Sequence, residues 1–451
     1  MLIRFGVQNF RSFEGDALFS MIPGRAQQHA DHILRPAQVD FELLPMALLY
    51  GANASGKSNL VRAMAFARNL IVNGTRPKQT LDVQPFRLCK NPDAVPSRFE
   101  FEFIAAGQAY AYGFVLDQHR IQEEWLYLIQ REKEVEEVIF ERKTDKEGVI
   151  KATFSEKRLG DVEEQFLQFV ARGTRPNQLL FSELIENNVV ALDGVDRWFR
   201  HVLTIVFPDS RFAGVEIGVH ADHEFAQALA QFLHGLHTGI DEVRLKDVDI
   251  DSLGFPSNLL AELKLELGQE LKGNNGESAS AYVVLEAPQK QRYMFRRVAD
   301  NGIAGYSLAT VRHVSDQEIV FELSEESDGT QRLLDLFPVL HASENKVFVI
   351  DELERSLHPN LVRQFIQVFL NSAGDNQLIV TTHESTLLDL SLLRRDEIWF
   401  VEKSPKGASI LYSLEEFKIR HDLDIRKGYL QGRFGAIPVF NSALLSELRE
   451  E

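Results

Sequence analysis

Residues Gly51-Ala52-Asn53-Ala54-Ser55-Gly56-Lys57-Ser58 set two glycines, a lysine and a hydroxyl at the spacing G-x-x-x-x-G-K-[ST]. That is the pattern of a backbone loop that wraps phosphates. Gly51 and Gly56 allow a tight turn, so the N–H groups of Asn53, Ala54 and Ser55 can point at the β- and γ-phosphates of a nucleotide. Lys57 adds positive charge, Ser58 a hydroxyl for Mg2+, and Asn59 lies in the first turn of a helix whose N-terminal dipole favours an anion. A second group of chemical interest is Lys346-Val347-Phe348-Val349-Ile350-Asp351-Glu352, an apolar run ending in two carboxylates. There Asp351 suits the Mg2+ shell, and Glu352 suits orienting and polarising an attacking water. Taken singly, a glycine-rich turn or an acidic strand end is commonplace. Together they point to hydrolysis of a nucleoside triphosphate.

These groups meet only if the elements around them hold them in place. Leu44 to Tyr50 reads as a short buried strand ending at Gly51, and Leu60, Met64, Ala67 and Leu70 repeat at helical spacing after it. Leu2–Phe10 alternates like a strand. Phe99–Ile104, Ala109–Leu116 and Ile121–Ile129 predict an antiparallel meander. From about Asp161 to Leu236 the periodicity is helical, and a mixed polar stretch with turns at Gly254, Pro256 and Gly273–Gly276 runs to about Ala281. Strands return at Ala281–Glu286, Arg292–Arg297 and Glu318–Leu323. Lys346–Ile350, Leu361–Leu370, Gln377–Thr381, Leu387–Leu392 and Glu397–Val401 alternate strand and helix, which predicts a parallel sheet with crossover helices.

Composition excludes several classes. Hydrophobic residues make up 44% and charged residues 25% of the 451, ordinary for a globular protein and unlike a disordered or fibrous chain. The single cysteine, Cys89, leaves no internal disulfide framework and no cysteine-cluster metal site. No apolar stretch reaches the ~20 residues needed to cross a bilayer. Met1–Ser20 has polar and charged residues interspersed throughout, unlike a secretory leader, so a reducing cytoplasm without membrane contact is expected. The net charge of −17 argues against a chain coated in nucleic acid, while leaving room for one basic groove.

The order of further motifs carries a resemblance. Ser327-Asp328-Gly329-Thr330-Gln331 lies upstream of Asp351, Glu354-Arg355-Ser356-Leu357-His358 follows the two carboxylates, and Leu378–Thr382 runs into His383. With Gly51–Ser58 in front, this order resembles the heads of ABC-type ATPases of the SMC/RecF/OLD branch. The resemblance implies an α/β fold: an ABC-type P-loop ATPase head, with a mixed sheet of parallel core and antiparallel meander, a mainly helical inserted subdomain and no long coiled coil. It divides the chain into 1–155 and 281–451 as the two parts of the head and 156–280 as the insertion. It makes Gly51–Ser58 the Walker A loop and Ser327–Gln331 the signature motif, with Asp328 where the commoner pattern has glycine. Asp351 and Glu352 become Walker B, Glu354–His358 the D-loop and His383 the switch histidine. Val7–Phe13 is similar to the strand and turn beside the nucleotide in such heads, which adds Arg11.

By that resemblance the cofactors are ATP and Mg2+, with Ser58 and Asp351 on the metal and Lys57, Glu352 and His383 in the catalytic role. Gly51 and Asn53–Asn59 contact the nucleotide, as do Arg11, Ser327 and Gly329. The signature serine reaches only another copy's phosphates, so the heads pair as a homodimer or higher homo-oligomer around ATP. Gln84 and Gln122 are both open as the Q-loop glutamine.

Lys57 and Asp351 are 294 residues apart, yet the interval from about 150 to 310 carries Pro176, Pro208, Gly254, Pro256 and Gly273 and no heptads. The coiled coils of the SMC branch are therefore not expected. Only 68 residues follow His383, too few for the Toprim nuclease domain of the OLD branch plus the closing strands. Pro85-Phe86, the 99–116 meander and the tail Gly432–Pro438 look like compact RloA/AbiLi-type ATP-binding subunits of the AAA family, related to PARIS-type ATPases. That resemblance implies a switch regulating a separate effector, a nuclease, in bacterial phage defence. The alternatives are a RecF-like ATP-dependent DNA-binding factor in repair, which keeps DNA open as a partner, and a stand-alone NTPase-nuclease using Asp249 and Asp251.

Three weaker constellations have bland explanations beside sharp ones. His220/His223 and His234/His237 stand at i, i+3 and could hold Zn2+, but a polar helix face explains them. Arg292, Arg296 and Arg297 with Tyr293 and Phe295 suit a nucleic-acid patch or a solvated strand face opposite a core face. Arg420, Arg426, Lys427 and Arg433 form a basic segment suited to docking a partner or DNA.

Overall fold

Short apolar runs closed by glycine or acidic pairs, and aromatic residues at period two, place most of the strands. The structure, a computed structural model, describes residues 1–437 except 27, 131–134, 156, 161, 209–213, 254, 257–258, 260–262, 264–266, 268–281, 287–290, 299–301, 316, 343–344, 373 and 419–423. Of the positions named above, Asp161, Gly254, Gly273–Gly276, Ala281, Arg420 and Pro438 lie outside the described residues. The chain forms two compact units: Met1–Pro208 with Ser343–Glu354 and Pro359–Glu451, and Asp209–Ala342 with Arg355–His358.

In the first unit a six-stranded sheet runs in the order Ser409–Ser413, Ile398–Lys403, Met46–Tyr50, Gln377–Thr381, Val347–Ile350, Leu203–Val206. All neighbouring pairs are parallel except Ser409–Ser413 with Ile398–Lys403. Met46–Tyr50, Gln377–Thr381 and Val347–Ile350 are buried throughout, as central strands covered on both faces must be. A separate antiparallel sheet of seven strands runs in the order Ala17–Ser20, Leu2–Gln8, Ser97–Ala105, Gln108–Leu116, Ile121–Gln130, Val135–Thr144, Ile150–Phe154. One hydrophobic core joins both sheets to the helix Lys57–Asn73, through Phe5 and Phe103 of the seven-stranded sheet, Leu49 and Val349 of the six-stranded one, Leu60 and Met64 of the helix, and Trp198. The Trp198 indole stacks on Phe103 with centroids 4.3 Å apart.

The second unit is an antiparallel sheet of five strands, Glu242–Val248, Ile303–Val314, Arg292–Arg297 and Tyr282–Glu286 in order, with Gln317–Glu322 also paired to Ile303–Val314. The helices Gly214–Ala221, His223–Gly235 and Asp328–Leu340 contribute Val215, Leu229, Leu233, Leu334 and Phe337 to a core with Leu308.

The expected mixed α/β architecture with a parallel core, an antiparallel meander and helical insertions is present, the meander as its own sheet. Some local expectations need correction. Within the stretch read as helical lies the strand Leu203–Val206, four residues that gain stability only by pairing with Val347–Ile350. The mixed polar stretch contains the strand Glu242–Val248, whose charged outward face hides the alternation of Val243 and Leu245. Ile303–Val314 is a further strand, and in Leu387–Leu392 the chain leaves the short 3₁₀ turn Ser385–Leu387 and is irregular from Leu388 on. The longest helix among the described residues, Lys57–Asn73, has 17 residues, so no long coiled coil occurs there. Among the described residues no helix is long and apolar enough to cross a membrane.

Candidate functional site

Three adjacent parallel strands of the first unit end side by side, and ligands of open α/β sheets bind at such carboxyl ends. Met46–Tyr50 delivers Gly51, Gln377–Thr381 delivers Thr382 and His383, and Val347–Ile350 delivers Asp351. The Asp351 N–H donates to the carbonyl of Val206 at 2.9 Å, so the strand missing from the sequence reading helps aim this carboxylate.

The loop after Tyr50 depends on its glycines. Gly56 sits at φ +118°, outside the range of ordinary residues, and a Cβ there would collide with Ser409 Oγ and Ser12 Oγ. A Cβ on Gly51 would strike the Val401 carbonyl and Ser55 Oγ. Ala54 is at φ +61°, and Asn53 and Ala54 are exposed at the crest of the turn. Lys57 opens the helix and folds back, its Nζ donating to the carbonyls of Gly51 at 2.8 Å and Ala52 at 3.2 Å. Burial pulls its pKa down to about 8, although Glu354, Asp351 and Glu352 oppose that shift. Ser55 Oγ is buried with no hydrogen-bond partner among the described residues. A desolvated ammonium whose hydrogen bonds among the described residues go to carbonyls, a hydroxyl with no partner there and a turn open at its crest fit an oligophosphate.

Beside the loop, Ser58 Oγ donates to Asp351 Oδ1 at 3.0 Å. Thr381 Oγ1 donates to the same oxygen at 2.6 Å and accepts the Glu352 N–H at 2.8 Å. Ser58 and Asp351 are an oxygen-only pair suited to a hard cation such as Mg2+. Glu352 is half-buried at φ +51°, so its backbone conformation is an unusual one imposed by its surroundings. His383 is exposed, and its N–H donates to Glu354 Oε1 at 2.6 Å. Desolvation by the surrounding protein, then the Lys57 charge, hold its imidazole below the ordinary value.

The structure also brings the N-terminal turn to this loop. Asn59 Nδ2 donates to Ser12 Oγ at 2.8 Å, and Arg11, at φ +50°, donates its N–H to the Gln84 carbonyl at 2.7 Å. Burial and the nearby Arg62 lower the Arg11 pKa, and its Nε is buried without a partner among the described residues. Gln122 is bound to Asp117 through Nε2 at 2.8 Å. Thr381 is the residue that the sequence reading missed. Its only signal was a hydroxyl at the last position of the strand leading to His383.

Ser327 and Gly329 belong to the second unit. Ser327 caps the helix Asp328–Leu340, its Oγ accepting from Thr330 N at 3.1 Å. A Cβ on Gly329 would lie 3.0 Å from the Ser356 carbonyl oxygen. Gln331 is buried and braces the segment before the helix, donating to the carbonyls of Leu323 and Glu326, both at 2.9 Å.

Of the weaker constellations, Arg292 is not on a solvated face: it is buried and paired with Glu216 at 2.6 Å and Asp335 at 2.8 Å. The four histidines do not gather as ligands among the described residues; His220 packs on Tyr282 and Tyr306, and His234 pairs with Asp241.

A phosphate-wrapping turn at the carboxyl edge of a parallel sheet, with a carboxylate bound to the loop's own serine, defines the class: a nucleoside-triphosphate-binding α/β ATPase domain. Residues 46–389 match the family described as "AAA domain, putative AbiEii toxin, Type IV TA system", and the chain belongs to that family of AAA-type ATPase domains. ATP binding and hydrolysis are the chemistry at the level of the family. No curated protein matches the chain. Solved structures similar to it include an SMC head domain from Thermotoga maritima, at 14% identity and TM-score 0.35 over 91% of this chain and 98% of that one. Another is an Smc head bound to the C-terminal winged-helix domain of ScpA, at 12% and 0.41 over 91% and 97%. A third is an Smc head with an extended coiled coil bound to the C-terminal domain of ScpA derived from Pyrococcus furiosus, at 12% and 0.35 over 91% and 96%.

Proposed function

We propose that the chain is an ATP-driven switch, whose heads pair around ATP as a dimer or larger assembly and which regulates a separate effector nuclease in phage defence in the bacterial cytoplasm. The carrying observation is the polar chain Ser58–Asp351–Thr381–Glu352, which ties three strand ends together beside Lys57. The family description, which names a toxin of a type IV TA system, supports a role in a two-component device. In this reading 1–155 and 281–451 act as the head and 156–280 as its insertion.

Mg2+ carried with ATP supplies positive charge against the terminal phosphates. Ser58 and Asp351 would be the residues that hold it. Lys57 exchanges its two carbonyl acceptors for phosphate oxygens, gaining charge-assisted hydrogen bonds in place of neutral ones. Glu352 takes the proton of the attacking water on its carboxylate, its backbone fixed by the bond to Thr381. His383, whose pKa desolvation and Lys57 hold below the ordinary value, serves as a hydrogen-bonding group. Ser327 and Gly329 offer the N-terminus of a 13-residue helix to the phosphates of another copy.

Glu352→Gln tests this directly. The variant is expected to bind ATP, lose about 10²-fold or more of its turnover and accumulate a two-head species in light scattering. Wild-type turnover, or single heads persisting with ATP bound, would refute the paired switch. Capture of a nuclease with the affinity-purified chain would support the effector role; tight duplex-DNA binding at physiological salt with no protein partner would favour the repair reading.

A further inference from the structure

We propose that His29, Asp31 and His32 form a binding site for a divalent transition metal of the Zn2+ type, on the segment of the first unit between Ala17–Ser20 and Met46–Tyr50. Each of the three side chains offers one ligand atom, and these atoms lie within 4.8 Å of one another. Rotation of the exposed Asp31 would close such a set onto one ion at ligand distances of ~2 Å. Two imidazoles and a carboxylate are a donor set for Zn2+ and its neighbours, whereas Mg2+ takes oxygen ligands. The phosphate-loop site uses none of these residues.

The contacts behind the two histidines separate this set from a chance cluster. A histidine that ligates through one ring nitrogen keeps its N–H on the other, fixed by a carbonyl or carboxylate. Both histidines have that arrangement. His29 Nε2 lies 2.9 Å from the Leu390 carbonyl oxygen, which can only accept, so the proton sits on Nε2 and Nδ1 keeps its lone pair. His32 Nδ1 lies 2.9 and 3.2 Å from the two oxygens of the buried Glu397, which leaves Nε2 as the donor to a metal. The two rings stack with centroids 4.9 Å apart and planes at 22°. The backbone is fastened as well. The buried Arg394 guanidinium donates to the carbonyls of Ala26 at 2.8 Å, Gln28 at 2.7 Å and His29 at 3.3 Å, and Asp396 holds that guanidinium at 2.9 and 2.7 Å. This is the rigid second layer that a preorganised metal site needs.

Three protein ligands leave the fourth position of a tetrahedral ion for water or for a group from a partner. The ion would clamp His29–His32 to the turn Arg395–Glu397. That turn leads into Ile398–Lys403, which pairs with the strand preceding the phosphate loop.

The test uses the full chain, stripped with a chelator, dialysed and titrated with Co2+ as a visible stand-in for Zn2+. One equivalent is expected to give the absorption of a histidine-bound ion, displaced by Zn2+ and untouched by excess Mg2+. His29→Ala and Asp31→Asn, with unchanged circular dichroism, should each weaken binding about tenfold or more. Glu397→Gln, acting as a positioning change through His32, should weaken it by about 10–100-fold. Absence of a one-equivalent cobalt signal, its loss to Mg2+, or full retention in both His29→Ala and Asp31→Asn would overturn the site.

Discussion

Thr381→Val removes one hydroxyl from the polar chain and leaves the shape of the side chain nearly intact. Thr381 is 0% exposed, and its Oγ1 gives one hydrogen bond to Asp351 Oδ1 at 2.6 Å while receiving one from Glu352 N at 2.8 Å. A lost hydrogen bond to a charged group costs ~1.5–3 kcal/mol, and the half-buried Glu352 amide loses a further hydrogen bond of ~1 kcal/mol. Because both terms share one hydroxyl they do not simply add. The expected loss is about 3–4 kcal/mol, on the order of 10²–10³ in the folding equilibrium. All three tryptophans, Trp125, Trp198 and Trp399, lie in the first unit, so tryptophan fluorescence during urea unfolding reports on that unit. The valine variant should unfold at a lower midpoint with an unchanged slope. Thr381→Ser, which keeps the hydroxyl and sheds a methyl, should lose only about 1 kcal/mol. Equal destabilisation by valine and serine would show that packing of the methyl, not the hydroxyl, matters at this position, and the polar-chain argument would fail.

Three further outcomes are expected. Lys57→Ala should weaken ATP binding by about 10²-fold or more, measured with a fluorescent nucleotide analogue, because the phosphates lose a charge-assisted donor. Ser327→Ala should cost ~1 kcal/mol of stability through the lost cap to Thr330 N and should abolish turnover while leaving ATP binding intact. Ser327→Asp should restore the cap without restoring turnover, and recovery of both would limit Ser327 to a structural role. In the second unit, burial pushes the Glu216 carboxyl up to about 7, against the pull of Arg292. Its folded pKa lies above the unfolded one, so its contribution to stability is fully present below about 4.5 and is lost as pH rises to about 7. The slope is at most ~1.4 kcal/mol per pH unit. Calorimetry at pH 5, 6 and 7 should show this slope in the wild type and a flatter one in Glu216→Gln; identical slopes would contradict the assignment.

Much of the first unit is legible because its signals are local. Met46–Tyr50, Gly51–Ser58 and Lys57–Asn73 follow one another as apolar run, turn and helix, so strand, loop and phosphate chemistry are evident from about thirty consecutive residues. The three-strand meander shows itself by alternation within each strand. Leu203–Val206 does not, because four residues carry too little pattern and the strand exists only through its partner Val347–Ile350. Arg292 reads as a surface cation, since nothing near it in sequence announces Glu216 or Asp335. His29, Asp31 and His32 look like polar loop residues until Leu390, Arg394 and Glu397 close around them.

By itself, then, the order of residues determines which segments can turn, pair or coil and which side chains carry phosphate and acid chemistry, because those properties depend on neighbours a few positions away. Only the tertiary structure decides that Ser58 meets Asp351 across 293 positions and that Thr381 joins that carboxylate to the Glu352 backbone. The reason is strand order: placing Gln377–Thr381 between Met46–Tyr50 and Val347–Ile350 is a choice among non-local pairings, made by the collective burial of all three strands.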